Sequence, residues 1–276
     1  MFSLRIDIDS RYGLLHGLPN ILESLRRHDV KASFFIPTGG ESSLADLFRY
    51  RGGSRGAMGG VSLPKQEILR MALLPRNFAE ENAGWLKDNL IAQGHELGVH
   101  AFKHRAWTRA LDKIDAAEHV RLATLAFTKI FGFKPSSFAA PAYRTSLAVL
   151  EALDREGYVC AGDLPGEHAF HPIIGKKRFN HVQVPVNLRQ PSTDPLIESF
   201  SSQGMSDDAV ISQVCRRIDD AGDYAVLYGH DYFEGAVRPK ILDAVLGHVK
   251  KQGLQTKTMS QIARVTTTNE EIEMLK

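Results

Sequence analysis

Cysteine is scarce in this sequence, and its scarcity limits what the protein can be. Two cysteines occur among 276 residues, Cys160 and Cys215, and neither belongs to a C-x-x-C pair or a zinc-ribbon spacing. This pattern argues against a disulfide framework and fits a reducing compartment. We expect both residues to be small, buried hydrophobic side chains.

Long apolar runs and a charge excess are also missing. No window approaches the roughly 20 apolar residues that a membrane-spanning helix needs. The opening residues, MFSLRIDID, lack the basic segment, apolar stretch and cleavage site of an export signal. The net charge is +2, which gives no electrostatic reason to expect nucleic acid as a partner. We therefore expect a cytoplasmic protein.

Short apolar strands alternate with amphipathic helical stretches along most of the chain. Strand patterns run from FSLRIDI to YAVLYGH and a final LQTKT, and LPNILESLRRHDV has apolar residues at helical spacing. Such alternation favours parallel strands with helices packed outside them. With about seven units, we predict an α/β fold, a distorted (β/α) barrel forming one domain over residues 1–276.

Clusters of polar residues follow five of the predicted strands. They are DID, HAFKH, APAYR, AGD and GHDYFEG. Active sites of β/α barrels gather at the C-terminal ends of the strands. We therefore predict that these clusters meet in one site.

Residues 39–80 interrupt the alternation. The segment is Gly-rich and too long for an ordinary connection, and basic residues such as Arg49, Arg51 and Arg55 alternate with apolar ones. One interpretation is a surface lid with a solvated basic face. The other is a mobile cover that meets an anionic or lipid-bearing substrate. The sequence favours neither.

Asp7 and Asp9 are the first candidate site residues. Side chains two apart on a strand share a face, and two carboxylates there repel each other unless a cation lies between them or one is protonated. Alternatively, the Asp9-Ser10 pair caps the helix that follows.

His100 and His104 are the second candidates. Residues four apart on a helical or turn-like segment face the same way and commonly bind Zn²⁺ or similar ions. An H-x-x-x-H pattern alone is weak, since 11 histidines occur in the chain. Two imidazoles and the Asp9 carboxylate would leave open coordination positions, which is typical of a catalytic metal site.

His95 and Glu96 lie too early on the same strand to be ligands, and we expect them to hold the helix–strand junction.

Together these motifs resemble the polysaccharide deacetylase family with the NodB homology domain, which includes carbohydrate esterase family 4. The family's two acidic residues correspond to DID, and its H-[ST]-x-x-H corresponds to HAFKH, with Ala101 in place of Ser or Thr. LRIDID, HELGVHAFKHRAW, FAAPAYR and LYGHDYFEG are similar to motifs of its ArnD subgroup, deformylases of 4-formamido-arabinose linked to undecaprenyl phosphate. The similarity covers most of the chain, including the insertion.

The resemblance implies a metal site and a general base. Asp9, His100 and His104 would hold one divalent ion, with zinc as the default and cobalt, nickel, manganese or iron as alternatives. Asp7 would act as the base, paired with Arg144.

The resemblance also implies a general acid and substrate contacts. His230 would donate a proton to the leaving nitrogen, and Asp163 would orient it. The backbone near Tyr143 would help to hold the oxyanion, and Glu234 would contact the sugar.

The implied reaction is hydrolysis of an N-formyl or N-acetyl group on an amino sugar, joined to undecaprenyl phosphate, in lipid A or envelope glycan modification. This substrate would bring the enzyme into peripheral contact with the cytoplasmic face of the inner membrane. Three alternatives remain: a deacetylase of a soluble glycan or small amide, a non-catalytic metal- or ligand-binding protein, and a mononuclear iron oxygenase. The two additional acid–base groups, Asp7 and His230, favour hydrolysis over oxygenation.

Overall fold

The structure, a computed structural model, describes residues 1–50, 63–191 and 193–273. Within these ranges the strands form one sheet of seven strands and one of three. The strands are β1 (Phe2–Asp7), β2 (Ser33–Ile36), β3 (Glu96–Val99), β4 (Ser137–Phe138), β5 (Cys160–Ala161), β6 (His171–Ile174), β7 (Lys177–Arg178), β8 (Val182–Gln183), β9 (Ala225–His230) and β10 (Asn269–Glu271).

The α-helices pack mainly outside the larger sheet. They are α1 (Arg11–His16), α2 (Leu18–His28), α3 (Leu44–Arg49), α4 (Lys65–Leu73), α5 (Phe78–Glu81), α6 (Ala83–Leu86), α7 (His104–Ala110), α8 (Ala116–Phe131), α9 (Leu147–Glu156), α10 (Leu196–Ser202), α11 (Asp207–Asp220), α12 (Pro239–Lys251) and α13 (Met259–Ala263).

The seven-stranded sheet is parallel and curls into a barrel wall. Its strand order is β8-β5-β4-β3-β2-β1-β9. An isolated parallel bridge between Leu188 and Leu227 links the segment after β8 to β9, the opposite edge of the sheet. The predicted distorted (β/α) barrel of about seven strands is confirmed.

Strand β1 separates apolar from charged residues by simple alternation. Leu4 and Ile6 belong to the large apolar core that also contains the buried face of α2. Side chains at alternating positions point to the other face, so Arg5 and Asp7 point into the barrel, where the Arg5 guanidinium lies among aromatic rings. Strand β1 therefore contributes two buried charged residues to the interior of the barrel.

The cap of α1 decides between the two interpretations of Asp9. The hydroxyl of Ser10 accepts a hydrogen bond from the Gly13 N–H at 2.9 Å and so forms the N-cap. The Asp9 carboxylate is not needed for capping, which leaves it available to the site.

The C-terminal region departs from the predicted pattern. The stretch LQTKT contributes a single bridge, Phe2 to Thr256, instead of a strand, because Thr258 immediately caps α13. The smaller sheet, in the order β10-β6-β7, was also not predicted. Its strands are two to four residues long, too short for a periodic pattern in the sequence.

The insertion is anchored to the barrel by a buried carboxylate. Glu41, 5% exposed, accepts hydrogen bonds from the Arg70 guanidinium at 2.5 Å and from the Arg76 N–H at 3.0 Å. It therefore connects the start of the insertion to α4 and to the segment after it. Arg51 and Arg55 lie outside the described residues, and the predicted domain and insertion boundaries stay predictions.

Both cysteines have free thiols, but their environments differ. Cys160 is buried, as expected, whereas Cys215 is only partly buried. Among the helices of the described ranges, none combines the length and apolar character needed to cross a membrane.

Candidate active site

Four consecutive strands of the sheet, in the order β3-β2-β1-β9, bring the candidate residues to one end of the barrel. Asp7 is the last residue of β1 and pairs in register with His230, the last residue of β9. On the other side of β1, Asp7 is in register with Phe35 of β2, and β2 pairs with β3, which His100 follows. The strand order thus brings together side chains that are up to 223 residues apart in sequence.

A sharp turn brings His100 and His104 together. His100 follows β3, and His104 is the first residue of α7, so the pair does not lie on one helix. Ala101 between them has φ +61°, in the left-handed region that non-glycine residues adopt at a cost. The centroids of the two imidazole rings lie 5.2 Å apart. The predicted convergence is present, through a turn and not through helical spacing.

Asp9 completes a group of possible metal ligands. Its Oδ1 lies 3.3 Å from His100 Nε2 and 3.5 Å from His104 Nε2. This oxygen is buried and has no hydrogen-bond partner among the described residues. One atom from each of the three residues lies within 4.8 Å of the others. Two imidazoles and one carboxylate are suitable donors for zinc or a similar divalent ion.

The surroundings of His100 prepare it to bind an ion. Its Nδ1 lies 2.7 Å from the Ala139 carbonyl oxygen, which accepts the ring N–H. That bond fixes the tautomer in which Nε2 presents its lone pair to Asp9 and His104. Metal-ligating histidines are commonly oriented in this way.

A second group, Glu198, His230 and Glu234, also has the composition of a metal site. Its polar atoms already bind one another, however. His230 Nδ1 is hydrogen-bonded to Glu198, and the His230 backbone N–H donates to Glu234 Oε2 at 2.7 Å. The second group is therefore better described as a hydrogen-bonded support for His230.

Arg5, and not Arg144, pairs with Asp7. Arg5 Nε and Nη2 donate to the two Asp7 oxygens at 2.8 and 2.7 Å, and Nη1 donates to the Gly162 carbonyl at 3.0 Å. Burial would raise the pKa of Asp7, but the Arg5 charge and hydrogen bonds outweigh burial and lower it. Asp7 is thereby kept ionised.

Arg144 lies elsewhere, so its expected pairing with Asp7 is wrong. Its Nη1 donates to the Thr108 carbonyl at 2.9 Å, and its Nη2 lies 3.7 Å from Asp112. The Trp107 indole N–H donates to the Arg144 carbonyl at 2.8 Å. These contacts join the APAYR loop to α7, the helix that begins with His104.

Glu198, and not Asp163, orients His230. Glu198 is 1% exposed and accepts a hydrogen bond from His230 Nδ1. Burial would lower the pKa of His230, but the Glu198 carboxylate outweighs it and raises the pKa well above its usual value. The imidazole is thus held in its protonated form, with Nε2 3.8 Å from Asp9 Oδ2.

Asp163 instead supports the strand ends beside the site. Its Oδ1 accepts from the Ala140 N–H at 2.6 Å, and its own N–H donates to Gln183 at 3.0 Å. Burial raises the pKa of Asp163 to about 6, although the Ala140 hydrogen bond opposes the shift. The expected contact with His230 is wrong because the Asp163 carboxylate is held at the end of β4.

Glu234 fixes the backbone at the end of β9, and its predicted contact with the sugar stays a prediction. Its side chain is 1% exposed and binds the His230 N–H. Gly229 leaves room for it, since a Cβ there would lie 2.5 Å from the Glu234 carboxyl carbon. The residue fixes the end of β9 that carries His230.

Tyr143 has an unusual backbone and an unusual ring environment. Ala142 and Tyr143 have φ +54° and +55°, two consecutive left-handed residues without a glycine. The Tyr143 ring lies 4.9 Å from the Arg5 guanidinium carbon and 4.7 Å from that of Arg189. Strained backbone of this kind persists where the surrounding structure holds it, often at functional sites.

His95 and Glu96 have the structural role expected of them. The Ala32 N–H donates to His95 Nδ1 at 3.2 Å. Glu96 accepts hydrogen bonds from the Ser33 hydroxyl at 2.7 Å and from the Ser260 N–H at 3.1 Å. They join β2, β3 and α13 away from the ligand group.

Asp231 is a further buried acid that the motif comparison did not single out. Its Oδ1 accepts from the Asp9 N–H at 3.3 Å, which helps to fix the Asp9 backbone. Gly13 makes this approach possible, since a Cβ there would lie 2.3 Å from the Asp231 carboxyl group. In the sequence, only the position of Asp231 directly after His230 pointed to a role near the site.

The sequence profile of the family described as "Polysaccharide deacetylase" matches residues 8–161. Two curated relatives are both named "Probable 4-deoxy-4-formamido-L-arabinose-phosphoundecaprenol deformylase ArnD". The relative from Shewanella sediminis is 28% identical over 94% of this chain and 84% of its own length. The one from Wigglesworthia glossinidia brevipalpis is 26% identical over 66% and 65%.

Solved structures share the fold. A crystal structure from Mycobacterium smegmatis, assigned as a polysaccharide deacetylase, superposes with a TM-score of 0.65. The match covers 99% of this chain and 94% of the other at 17% identity. At that identity the likeness concerns the barrel and its flanking helices alone.

Proposed function

The chain belongs to the polysaccharide deacetylase family, and from this premise we propose that it is a metal-dependent hydrolase that removes a formyl or acetyl group from the nitrogen of an amino sugar. The observation that carries the proposal is the convergence of Asp9, His100 and His104. A divalent ion bound there, with zinc as the default, would polarise the acyl carbonyl and lower the pKa of a bound water towards ~7.

The acid–base groups flank the proposed ligands. Asp7, held ionised by Arg5, accepts the proton of the attacking water. Its Oδ2 lies 3.7 Å from His100 Nε2, so the base is adjacent to the ligand group. Asp7 must therefore act from a carboxylate whose orientation is fixed by two hydrogen bonds.

His230 donates a proton to the departing nitrogen. The Glu198 bond to Nδ1 leaves Nε2–H as the group that faces Asp9 and the substrate. An amine leaves poorly as an anion, so protonation is needed for the C–N bond to break. The backbone at Tyr143, held in its left-handed conformation, is proposed to help bind the carbonyl oxygen as its charge develops.

Metal content and amine release, measured on the same samples, test the proposal. Asp9→Asn and His104→Gln are expected to lose both bound metal and amine release from N-formyl or N-acetyl amino sugars. His168→Gln, at an exposed histidine, should keep both. A wild-type protein that binds metal stoichiometrically but releases no amine from any such sugar would instead support a non-catalytic binding role.

We further propose that the amino sugar is linked to a lipid phosphate. The names of the two curated relatives suggest such a substrate, and the insertion offers a suitable surface. Leu69, Leu73 and Leu74 on and after α4 are 60%, 57% and 64% exposed. Large apolar side chains exposed together commonly mark interaction sites. The proposal implies peripheral contact with the membrane that holds the lipid.

Vesicle assays separate this finer proposal from the general one. Amine release from a lipid-linked N-formyl sugar should exceed release from N-acetyl chitooligosaccharides, and the protein should sediment with anionic vesicles. Hydrolysis of chitooligosaccharides without hydrolysis of the lipid-linked sugar would select a soluble-glycan deacetylase.

A further inference from the structure

Arg189 lies in the segment that closes the barrel beside β9. Its neighbour Leu188 forms the bridge with Leu227, and both leucines belong to the core on the outer side of the barrel. Successive side chains of an extended segment point to opposite faces. Arg189 therefore points to the same side of the wall as Tyr228, which is in register with Arg5 of β1.

The guanidinium of Arg189 contacts a ring that belongs to the proposed site. It lies 4.7 Å from the Tyr143 ring centroid, and the Arg5 guanidinium contacts the same ring at 4.9 Å. Arg5 in turn holds Asp7. One aromatic ring thus separates Arg189 from the cation that supports the proposed base.

Arg189 differs from Arg5 and Arg144 because it has no acidic partner among the residues that the structure describes. Arg5 pairs with Asp7, and Arg144 lies near Asp112 and binds carbonyl groups. Across the residues that the structure describes, no carboxylate lies within ion-pair distance of Arg189, and its side chain makes no hydrogen bond. It is half-buried. A partly desolvated cation without a partner is costly, and a bound anion would remove that cost.

The backbone that carries Arg189 is fixed on both sides. Asn187 Nδ2 donates to the Tyr224 carbonyl at 2.7 Å, and the Val226 N–H donates back to Asn187 Oδ1 at 2.9 Å. After Arg189, the Gln190 N–H binds the Asp194 carbonyl at 3.0 Å. These bonds fix the backbone at Arg189, and the contact with the Tyr143 ring restrains its guanidinium, which lowers the entropic cost of binding a ligand there.

We propose that Arg189 forms an anion-binding subsite beside the Tyr143 ring that takes the phosphodiester next to the sugar. The inference rests on the proposed function, because the phosphate enters as part of the lipid-linked substrate. The guanidinium donates two N–H groups to the non-bridging oxygens, and the Tyr143 ring supports its other surface by a cation–π contact. Arg189 thereby determines specificity for a phosphate-linked sugar over a neutral one.

Calorimetric binding to the metal-loaded protein tests the subsite directly. The probes are the methyl phosphodiester of an N-formyl amino sugar and the uncharged methyl glycoside of the same sugar. The wild type should prefer the phosphodiester by on the order of 10- to 100-fold. Arg189→Gln should lose the preference, Arg189→Lys should keep part of it, and binding of the uncharged probe should be unchanged. Arg216→Gln, on the exposed face of α11, is the matched control.

The outcomes distinguish this inference from the proposed function. A phosphodiester preference that survives in Arg189→Gln, or that is missing in the wild type, overturns the subsite. Loss of anionic-vesicle binding in Arg189→Gln with intact phosphodiester preference also overturns it, since Arg189 would then bind lipid headgroups. Amine release from the same samples tests the reaction separately. If the preference for the phosphodiester depends on Arg189 but no amine is released, the subsite is supported and the proposed function is contradicted.

Discussion

The barrel interior and the insertion distribute charged and apolar side chains in opposite ways. Inside the barrel, Arg5 and Asp7 are 1% and 3% exposed and are paired with each other. In the insertion, Phe48 and Leu69 are 63% and 60% exposed. Folding alone favours the reverse arrangement. The barrel holds a buried ion pair beside the proposed metal ligands, whereas the insertion exposes large apolar side chains.

The largest effect should come from the support of the proposed acid. Glu198→Gln replaces the carboxylate that keeps His230 protonated, and kcat should fall by on the order of 10²–10⁴-fold with metal content unchanged. Glu151→Gln, which alters a surface pair with Lys177, should leave kcat unchanged. A shift of the high-pH limb of kcat to lower pH in Glu198→Gln would indicate a true effect on His230. Equal kcat in the two variants would contradict the assignment.

The buried ion pair should have the next largest effect, on stability. Arg5→Met leaves Asp7 buried without its partner, and the free energy of unfolding should fall by about 3–5 kcal/mol. Arg26→Met, at an exposed pair with Glu23, should cost at most about 1 kcal/mol. Urea denaturation measures both. The double variant Arg5→Met, Asp7→Asn should recover part of the lost stability. If Arg5→Met and Arg26→Met lower the free energy of unfolding by similar amounts, the buried pair is no more important for stability than the exposed one.

Asp163 should make stability fall as pH rises. Its pKa is about 6 in the folded protein and 3.8 in the reference state, so between these values the folded state binds more protons than the unfolded state. The resulting loss in the free energy of unfolding is absent below pH ~4, grows up to pH ~6 and is then constant at about 3 kcal/mol.

Asp163→Asn should therefore be more stable than the wild type at pH 7 but not at pH 4, since an amide oxygen can still accept from the Ala140 N–H. Asp220→Asn, at an exposed position, should change stability equally little at both pH values. Thermal unfolding from pH 4 to 8 measures the difference. A variant curve parallel to that of the wild type would show that Asp163 does not titrate in this range.

The smallest effect should come from the insertion. Leu69→Ser with Leu73→Ser should lower amine release from a lipid-linked sugar in vesicles by about 10-fold, because less apolar surface meets the lipid. Release from a soluble N-formyl sugar and stability should not change. Leu125→Ser, on α8 and 53% exposed, tests whether any exposed leucine has the same effect. If it does, the insertion has no special role.

The sequence predicted the barrel and the convergence of Asp9, His100 and His104 because their signals are local. Alternating strands and helices repeat along the chain, and DID and HAFKH are short motifs. The same alternation rule that pairs Asp7 with Asp9 also places Arg5 on their side of β1. The signal for Arg5 was present, and the family comparison drew attention to Arg144 instead.

Glu198 could not be found in the same way. It lies in α10, 32 residues before His230 along the chain, and it belongs to no motif. Only the packing of α10 against β9 brings the two side chains together. The Ala101 turn was also not predictable from spacing, because an H-x-x-x-H pattern has the same letters in a turn and in a helix. Contacts that depend on tertiary packing produce no periodic pattern in the sequence.

The alternation of β1 has a consequence for sequence change. Its pairing to β2 and β9 leaves Arg5 and Asp7 on one side and Leu4 and Ile6 on the other. A shift of one residue would exchange the two sets, placing charges against the helices and aliphatic groups inside the barrel. Deletion or insertion of a single residue within Phe2–Asp7 should therefore be far more harmful than most substitutions there, and homologous chains should vary in length only outside this strand.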